Sequence, residues 1–223
     1  MDAGRVVGLG PGELARLRQD YAAAGLDEPM LPADPMQLFH LWLHDAHAAG
    51  LAEVNAMVVS TVGADGVPSS RMVLCKEADA RGFAFFTNYH SRKARELDAN
   101  PRTSLLFGWP SLGRQVRVEG RAAPVPAEES DVYFATRPRG AQLSAWASEQ
   151  SAEVADRATL ERRVAELGKR YAGDVPRPPH WGGIRVVPMT IEFWQGRADR
   201  LHDRLVYRRD DPAAQWSTVR LQP

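Results

Sequence analysis

Four short runs in this 223-residue chain gather side chains that attract anions. At Ser91-Arg92-Lys93 a hydroxyl and two cations open a helix. Cations in a first turn face the positive end of the helix dipole, which costs roughly a few tenths of a kcal/mol. A bound anion removes that conflict, because backbone N–H groups, the hydroxyl and both cations then converge on it. Two side chains pointing into water explain the run equally well. Tyr133 and Arg137 stand four residues apart, on one helix face, with Arg139 just beyond. Phenol and guanidinium together suit a phosphate or carboxylate, although a surface arginine stacked on a tyrosine is the simpler reading. In Arg71-Met72-Val73-Leu74-Cys75-Lys76 a regular strand turns Arg71 and Lys76 to opposite sides, so a shared pocket requires a bulge or backbone contacts. In Arg200-Leu201-His202-Asp203-Arg204, strand alternation puts Arg200, His202 and Arg204 on one face. There they repel one another unless something anionic binds, which favours a functional reading. Trp181-Gly182-Gly183 and Trp194-Gln195-Gly196 add aromatic faces, each more often core than ligand contact. His40, His44 and His47 share a helical stripe, but with no evident fourth ligand a solvated face is preferred to a metal site.

The elements that must carry these runs follow from periodicity and punctuation. Asp34-Pro35-Met36-Gln37 reads as a helix start, with Asp34 as cap, Pro35 in the first turn and Gln37 at capping-box spacing. That helix runs to about Ala49, with Leu38, Phe39, Trp42, Ala46 and Ala49 on its apolar face. Strands are expected over 55–62, 67–77, 82–88, 103–109, 114–124, 184–194, 200–208 and 216–221. Helices are expected over 12–24, 91–99, 127–136 and 151 to about 171, and 175–183 reads as a rigid loop. Short, sequential strands joined by turns make this a mainly β, antiparallel sheet or barrel with peripheral helices. A mobile segment over 1–16 precedes one domain over 17–223.

Composition narrows the function. Lys plus Arg equal Asp plus Glu at 28 each, which argues against a general nucleic-acid binder. The balance hides local excess, with five Lys/Arg against two Asp/Glu over both 68–93 and 195–209. Cys75, the single cysteine, cannot form an internal disulfide. The start of the chain lacks a signal peptide's apolar run, and no stretch approaches the roughly 20 apolar residues of a membrane span, so a cytoplasmic protein is expected. Neither a Gly-rich dinucleotide fingerprint nor a phosphate-loop lysine motif is present.

The blocks RMVLCK (71–76), FFTNYHSRK (85–93), RQVRVEG (114–120), ESDVYFATRPRGAQLSAWASEQS (129–151), PPHWGG (178–183) and IEFWQGRADRLHDR (191–204) closely resemble the pyridoxine/pyridoxamine 5′-phosphate oxidase family. The likeness runs from about Leu17 to the C-terminal Arg220-Leu221-Gln222-Pro223. It implies an FMN-binding split β-barrel with Greek-key-like connections, forming a homodimer with its site at the subunit interface. The implied reaction oxidises pyridoxamine or pyridoxine 5′-phosphate to pyridoxal 5′-phosphate, with O2 reduced to H2O2. Carried over by position, FMN contacts are Arg71, Met72, Val73, Leu74, Cys75, Lys76, Phe86, Thr87, Arg92, Lys93, Gln115, Gln150, Ser151, Trp194 and Arg204. Substrate contacts are Lys76, Tyr133, Arg137, the Ala141 position, Arg200, Leu201 and His202, with Arg18 and Tyr21 covering the site. Arg200 and His202 take the catalytic roles, and no metal is implied. The sequence departs from the family at Ala141, usually Ser, at Ser144, usually Gly, and at Phe86, frequently Tyr. Two rivals are a related flavin oxidase acting on a phenazine-type substrate and a non-catalytic FMN- or pyridoxal-phosphate-binding protein of the same fold.

Overall fold

The computed structural model of the chain describes residues 25–223. The expected segment 1–16, the helix over 12–24 and the covering residues Arg18 and Tyr21 lie outside the described residues.

Asp34 caps helix α1 (Pro35–Ala48) by accepting the Met36 backbone N–H at 3.0 Å. Leu38, Phe39, Trp42 and Ala46 form its buried stripe, and His40, His44 and His47 are exposed. Ala49, expected on the apolar face, is instead the exposed residue that ends the helix. The strands are β1 (Ala56–Val62), β2 (Pro68–Leu74), β3 (Glu77–Asp79), β4 (Gly82–Asn88), β5 (Arg102–Trp109), β6 (Arg114–Pro124), β7 (Trp181–Gln195), β8 (Asp203–Arg208) and β9 (Ser217–Arg220). They form one antiparallel sheet in the order β2-β1-β5-β6-β7-β4-β3, with β8 on β7 and β9 on β8. The long β7 pairs with β4 through its first half and with β8 through its second, while β6 follows most of it. This change of partner, with the register shift at Glu119/Gly120, curls the sheet into an incompletely closed barrel. The expected split-barrel fold is the one observed.

Helix α1 supplies the core that the sheet alone lacks. Phe39 meets Phe83 and Phe107 edge-on at 5.0 and 4.9 Å, and Trp42 meets Phe193 at 5.3 Å. A smaller cluster, built on Phe134, Leu143, Val175 and Trp181, fixes three helices beside the barrel. These are α3 (Ala127–Ala135), α4 (Arg139–Ala147) and α5 (Arg157–Arg170); α2 (Arg92–Ala99) follows β4.

Four expectations are corrected. The strand expected over 67–77 is two strands. Cys75 N–H donates to Asn55 O and Lys76 N–H donates to Ala84 O, so the chain changes partners there. Helix α4 was not anticipated: the arginine–glycine pair at its start and its nine-residue length leave too little periodicity to read. Helix α5 begins at 157 and not 151, because Asp156 accepts the Thr159 N–H at 2.7 Å and Ser151 has φ +75°, which no helix admits. Finally, β8 begins at Asp203, after a tight turn over Ala198–Arg200 in which Asp199 and Arg200 both have positive φ. Strand alternation therefore does not place Arg200, His202 and Arg204 on one face.

Strand β7 begins three residues before its expected start because Gly182 and Gly183 pair with Thr87 and Phe86. A Cβ at Gly183 would lie 2.6 Å from Val125 Cγ2 and 2.9 Å from Phe86 Cε1. The glycine is what lets β7 run directly under the Phe86 ring.

Candidate active site

A cleft of about 540 Å³ opens between the β2 and β4 side of the barrel and the helices α3 and α4. The break between β2 and β3 resolves the Arg71–Lys76 problem. Because the backbone switches partners at Cys75–Lys76, Arg71, Met72, Val73, Leu74 and Lys76 all line this cleft. Cys75 does not. Its thiol donates to Glu77 O at 3.1 Å, and burial pushes it up to about 12, so it stays protonated. Its backbone is also committed, N–H to Asn55 O and C=O to Asn55 Nδ2.

Strand β4 contributes Phe86 and Thr87, and α2 contributes Lys93. Lys93 is buried and donates to Thr87 Oγ1 at 3.1 Å and to Ser91 Oγ at 3.3 Å. Burial, reinforced by the nearby positive charge of Arg71, pulls its ammonium down to about 8. Thr87 in turn donates to Gln150 Oε1, which also accepts the Asn88 N–H. Ser151 Oγ accepts the Arg92 N–H at the first turn of α2. Its φ is positive, an uncommon state for serine.

The opposite wall is aromatic and cationic. Phe86 stacks on Tyr133 with ring centroids 4.0 Å apart, and Trp181 lies parallel beyond. The Arg137 guanidinium sits 4.5 Å above the Trp181 ring. Its Nη1 is buried with no hydrogen-bond partner among the described residues, and burial lowers its pKa. A buried donor without an acceptor is costly, and the Arg137 side chain is among those that line the cleft. Helix α3 ends at Ala135, so the tight turn after it, rather than helical spacing, sets Arg137 beside Tyr133. Ser144 on α4 also lines the cleft, whereas Ala141, one turn earlier, does not.

The other predicted residues form a second group at one end of β6–β7–β8. Gln115 pairs with Trp194 and Trp194 with Arg204, and His202 packs on the Trp194 ring at 4.7 Å. His202 Nδ1 accepts the Arg197 N–H at 3.1 Å, which fixes the imidazole. Arg204 is pinned by Glu192, at 2.8 and 3.2 Å, so mutual repulsion is not its problem. Arg200 and Leu201 are exposed on the positive-φ turn. None of these residues lines the cleft of the same chain.

Sequence reasoning missed Asn88, Ser148 and Trp181 as cleft residues. It also missed Glu96, a buried carboxylate beneath the cleft that pairs with both Arg71 and Arg92. The spacing of Arg92 and Glu96, four apart on one helix, was the available signal.

The cleft fits a phosphorylated aromatic molecule. It offers a parallel aromatic wall, a buried lysine with a donor to spare and the Arg137 guanidinium over Trp181. Comparison with known proteins gives the class first. The chain shares its fold with the crystal structure of an FMN-binding, pyridoxamine 5′-phosphate oxidase-related protein from Nostoc punctiforme, at TM-score 0.68 and 16% identity over 86% of this chain and all of that one. It is more similar to PhzG from Burkholderia lata, solved with tetrahydrophenazine-1-carboxylic acid, at TM-score 0.85 and 35% identity over 92% of this chain and 100% of that one. The fold is thus that of the split-barrel proteins to which FMN binders belong.

The family model "Pyridoxamine 5′-phosphate oxidase" matches residues 43–171, and "Pyridoxine 5′-phosphate oxidase C-terminal dimerisation region" matches 181–223. Proteins named pyridoxine/pyridoxamine 5′-phosphate oxidase are 58% identical in Rubrobacter xylanophilus, over 95% of this chain and 97% of that one. In Burkholderia multivorans the identity is 57%, over 94% and 99%. The chain belongs to the pyridoxine/pyridoxamine 5′-phosphate oxidase family. Its C-terminal region, carrying β7 to β9, is a dimerisation region and supports a homodimer. Among the described residues, no helix is long and apolar enough to cross a membrane.

Proposed function

We propose that the protein is an FMN-dependent oxidase that converts pyridoxamine 5′-phosphate and pyridoxine 5′-phosphate to pyridoxal 5′-phosphate. O2 is the electron acceptor, and H2O2 is released, with ammonia from the amine. The observation that carries this reading is that the Arg137 guanidinium, stacked on Trp181 beside Tyr133, lines the same cleft as Lys93. One cleft thus presents two anion-seeking groups, which suits two phosphate-bearing ligands.

In this reading Lys93, Arg71 and Arg92 face the FMN phosphate, with Thr87, Gln150 and Ser151 arranging the loop around it. Lys76, Tyr133 and Arg137 grip the substrate phosphate. Bound FMN supplies the redox chemistry by accepting a hydride equivalent. The protein's part is to bind both ligands, stack them and exclude water, and holding them at near-attack distance supplies several kcal/mol of the barrier. Arg200 and His202 orient the substrate carbon and help its proton leave. Because they stand apart from the cleft of their own chain, they and the Gln115–Trp194–Arg204 row complete the cleft of the partner subunit.

A second reading is a flavin oxidase acting on a phenazine precursor, favoured by the 35% identity to PhzG. One experiment separates them. FMN-loaded protein in air is given pyridoxamine 5′-phosphate or tetrahydrophenazine-1-carboxylic acid, and pyridoxal phosphate, peroxide and loss of the phenazine precursor are followed. Turnover of the first is expected. Intact FMN binding with turnover only of the second, or of neither, refutes the proposal.

A further inference from the structure

Glu96 lies outside every contact set given above, yet it is the most heavily bonded carboxylate beside the cleft. Its side chain is 8% exposed. Oε2 accepts from Thr61 at 2.5 Å, Ser69 at 2.6 Å and Arg71 Nη2 at 3.3 Å, and Oε1 accepts from Arg92 Nε at 2.7 Å. The same hydroxyls accept from Arg71, Thr61 from Nη1 at 2.5 Å and Ser69 from Nη2. Arg71 Nη1 donates again to Val59 O at 3.2 Å. The bonds run from Arg71 to the two hydroxyls and from the hydroxyls to the carboxylate. The Thr61 and Ser69 oxygens are 3.3 Å apart, and Arg71 also reaches Glu96 directly. The network ties β1, β2 and α2 together, and it takes up four of the five Arg71 donors, leaving the Nε–H and the positive charge for an anion.

Three cations crowd this corner, since Lys93 follows Arg92 and feels the charge of Arg71. Left to themselves, Arg71 and Arg92 would swing apart toward water, because like charges repel and long side chains gain rotamer freedom. A buried carboxylate bonded to both removes that freedom before any ligand arrives. Burial by itself raises the Glu96 carboxyl, but the hydrogen bonds from Ser69, Thr61 and Arg92 outweigh it and hold the group at about 2. The negative charge is therefore permanent at working pH.

We propose that Glu96 is a positioning residue of the phosphate subsite: it holds Arg71 and Arg92 where they face the phosphate of the flavin nucleotide, and acts only through them. This rests on the FMN reading above and adds to it a residue that touches no ligand.

Riboflavin, which has the ring but no phosphate, is the discriminating probe. Dissociation constants of FMN and riboflavin are measured by flavin fluorescence on the flavin-free full chain and on its Glu96→Ala and Glu96→Gln variants. Glu96→Ala is expected to weaken FMN by about tenfold and riboflavin by less than about twofold. Glu96→Gln keeps the shape but sets an amide N–H₂ against donors, so a smaller loss confined to FMN is expected; it also serves if the alanine variant does not fold. Equal losses for both flavins would mean general damage, and unchanged FMN affinity would mean no role. Tighter FMN binding would mean that Glu96 opposes the phosphate. Each of these three results overturns the proposal. Wild-type protein that fails to prefer FMN over riboflavin would sink the underlying cofactor reading as well, a result distinct from the other three.

Discussion

Lys93 is a buried ammonium whose charge is disfavoured both by burial and by Arg71. With its pKa lowered to about 8, it is charged below that pH and neutral above it. An anionic phosphate favours the charged form, so affinity is full below pH 8 and falls as pH rises. FMN dissociation constants should rise about fivefold to tenfold between about pH 7 and pH 9.5. Riboflavin's should stay flat, and Lys93→Met should abolish the pH dependence of FMN. A flat wild-type profile would remove Lys93 from the phosphate site. The cations of the site could be read directly from Arg71, Arg92, Lys93 and Arg137, because charge is a property of residue type. Glu96 left only its spacing from Arg92 as a sign, since a glutamate on a short helix is ordinarily solvated and only packing makes it buried. Arg204 shows the reverse: its apparent excess charge is balanced by Glu192, twelve residues away in sequence and on the neighbouring strand.

At the scale of elements, the pairing of β4 with β7 positions both Thr87 and the Phe86–Tyr133–Trp181 wall. Gly183 is the close point of that pairing, because a side chain there meets Val125 and Phe86. Gly183→Ala should destabilise the fold by about 1–3 kcal/mol through overpacking, measured by urea unfolding of the full chain. Its FMN affinity should fall as Phe86 and Thr87 shift. A variant as stable as wild type would mean the strands can separate there without cost. Most strands, α1 and α2 were legible because alternation, capping residues and turn residues agreed. The break at Cys75–Lys76 was not, since its cause is a change of partner from Asn55 to Ala84. The turn at Asp199–Arg200 was equally hidden, for alternation cannot show where a strand has yet to begin.

At the scale of the molecule, the cleft and the Trp194–His202–Arg204 group are separate surfaces of one chain, and the second belongs to the dimerisation region. If one subunit's group completes the other's cleft, two inactive variants can rescue each other. Co-refolded Arg137→Ala and Arg200→Ala chains should recover up to about a quarter of wild-type sites, since half the dimers are mixed and each mixed dimer has one intact site. Each variant alone should be nearly inactive. No recovery in proven mixed dimers would place the whole site within one chain. The neutral total charge is consistent with this plan, because the two local cationic surpluses fall in the cleft-bearing segment and the dimerisation segment. By itself the sequence determined the antiparallel barrel, the family and the cations that seek phosphate, because periodicity and residue chemistry are local. Only the tertiary structure decided which of those cations share a space, which are already neutralised and which await a ligand, because burial and counter-ion distance depend on residues far apart in the chain.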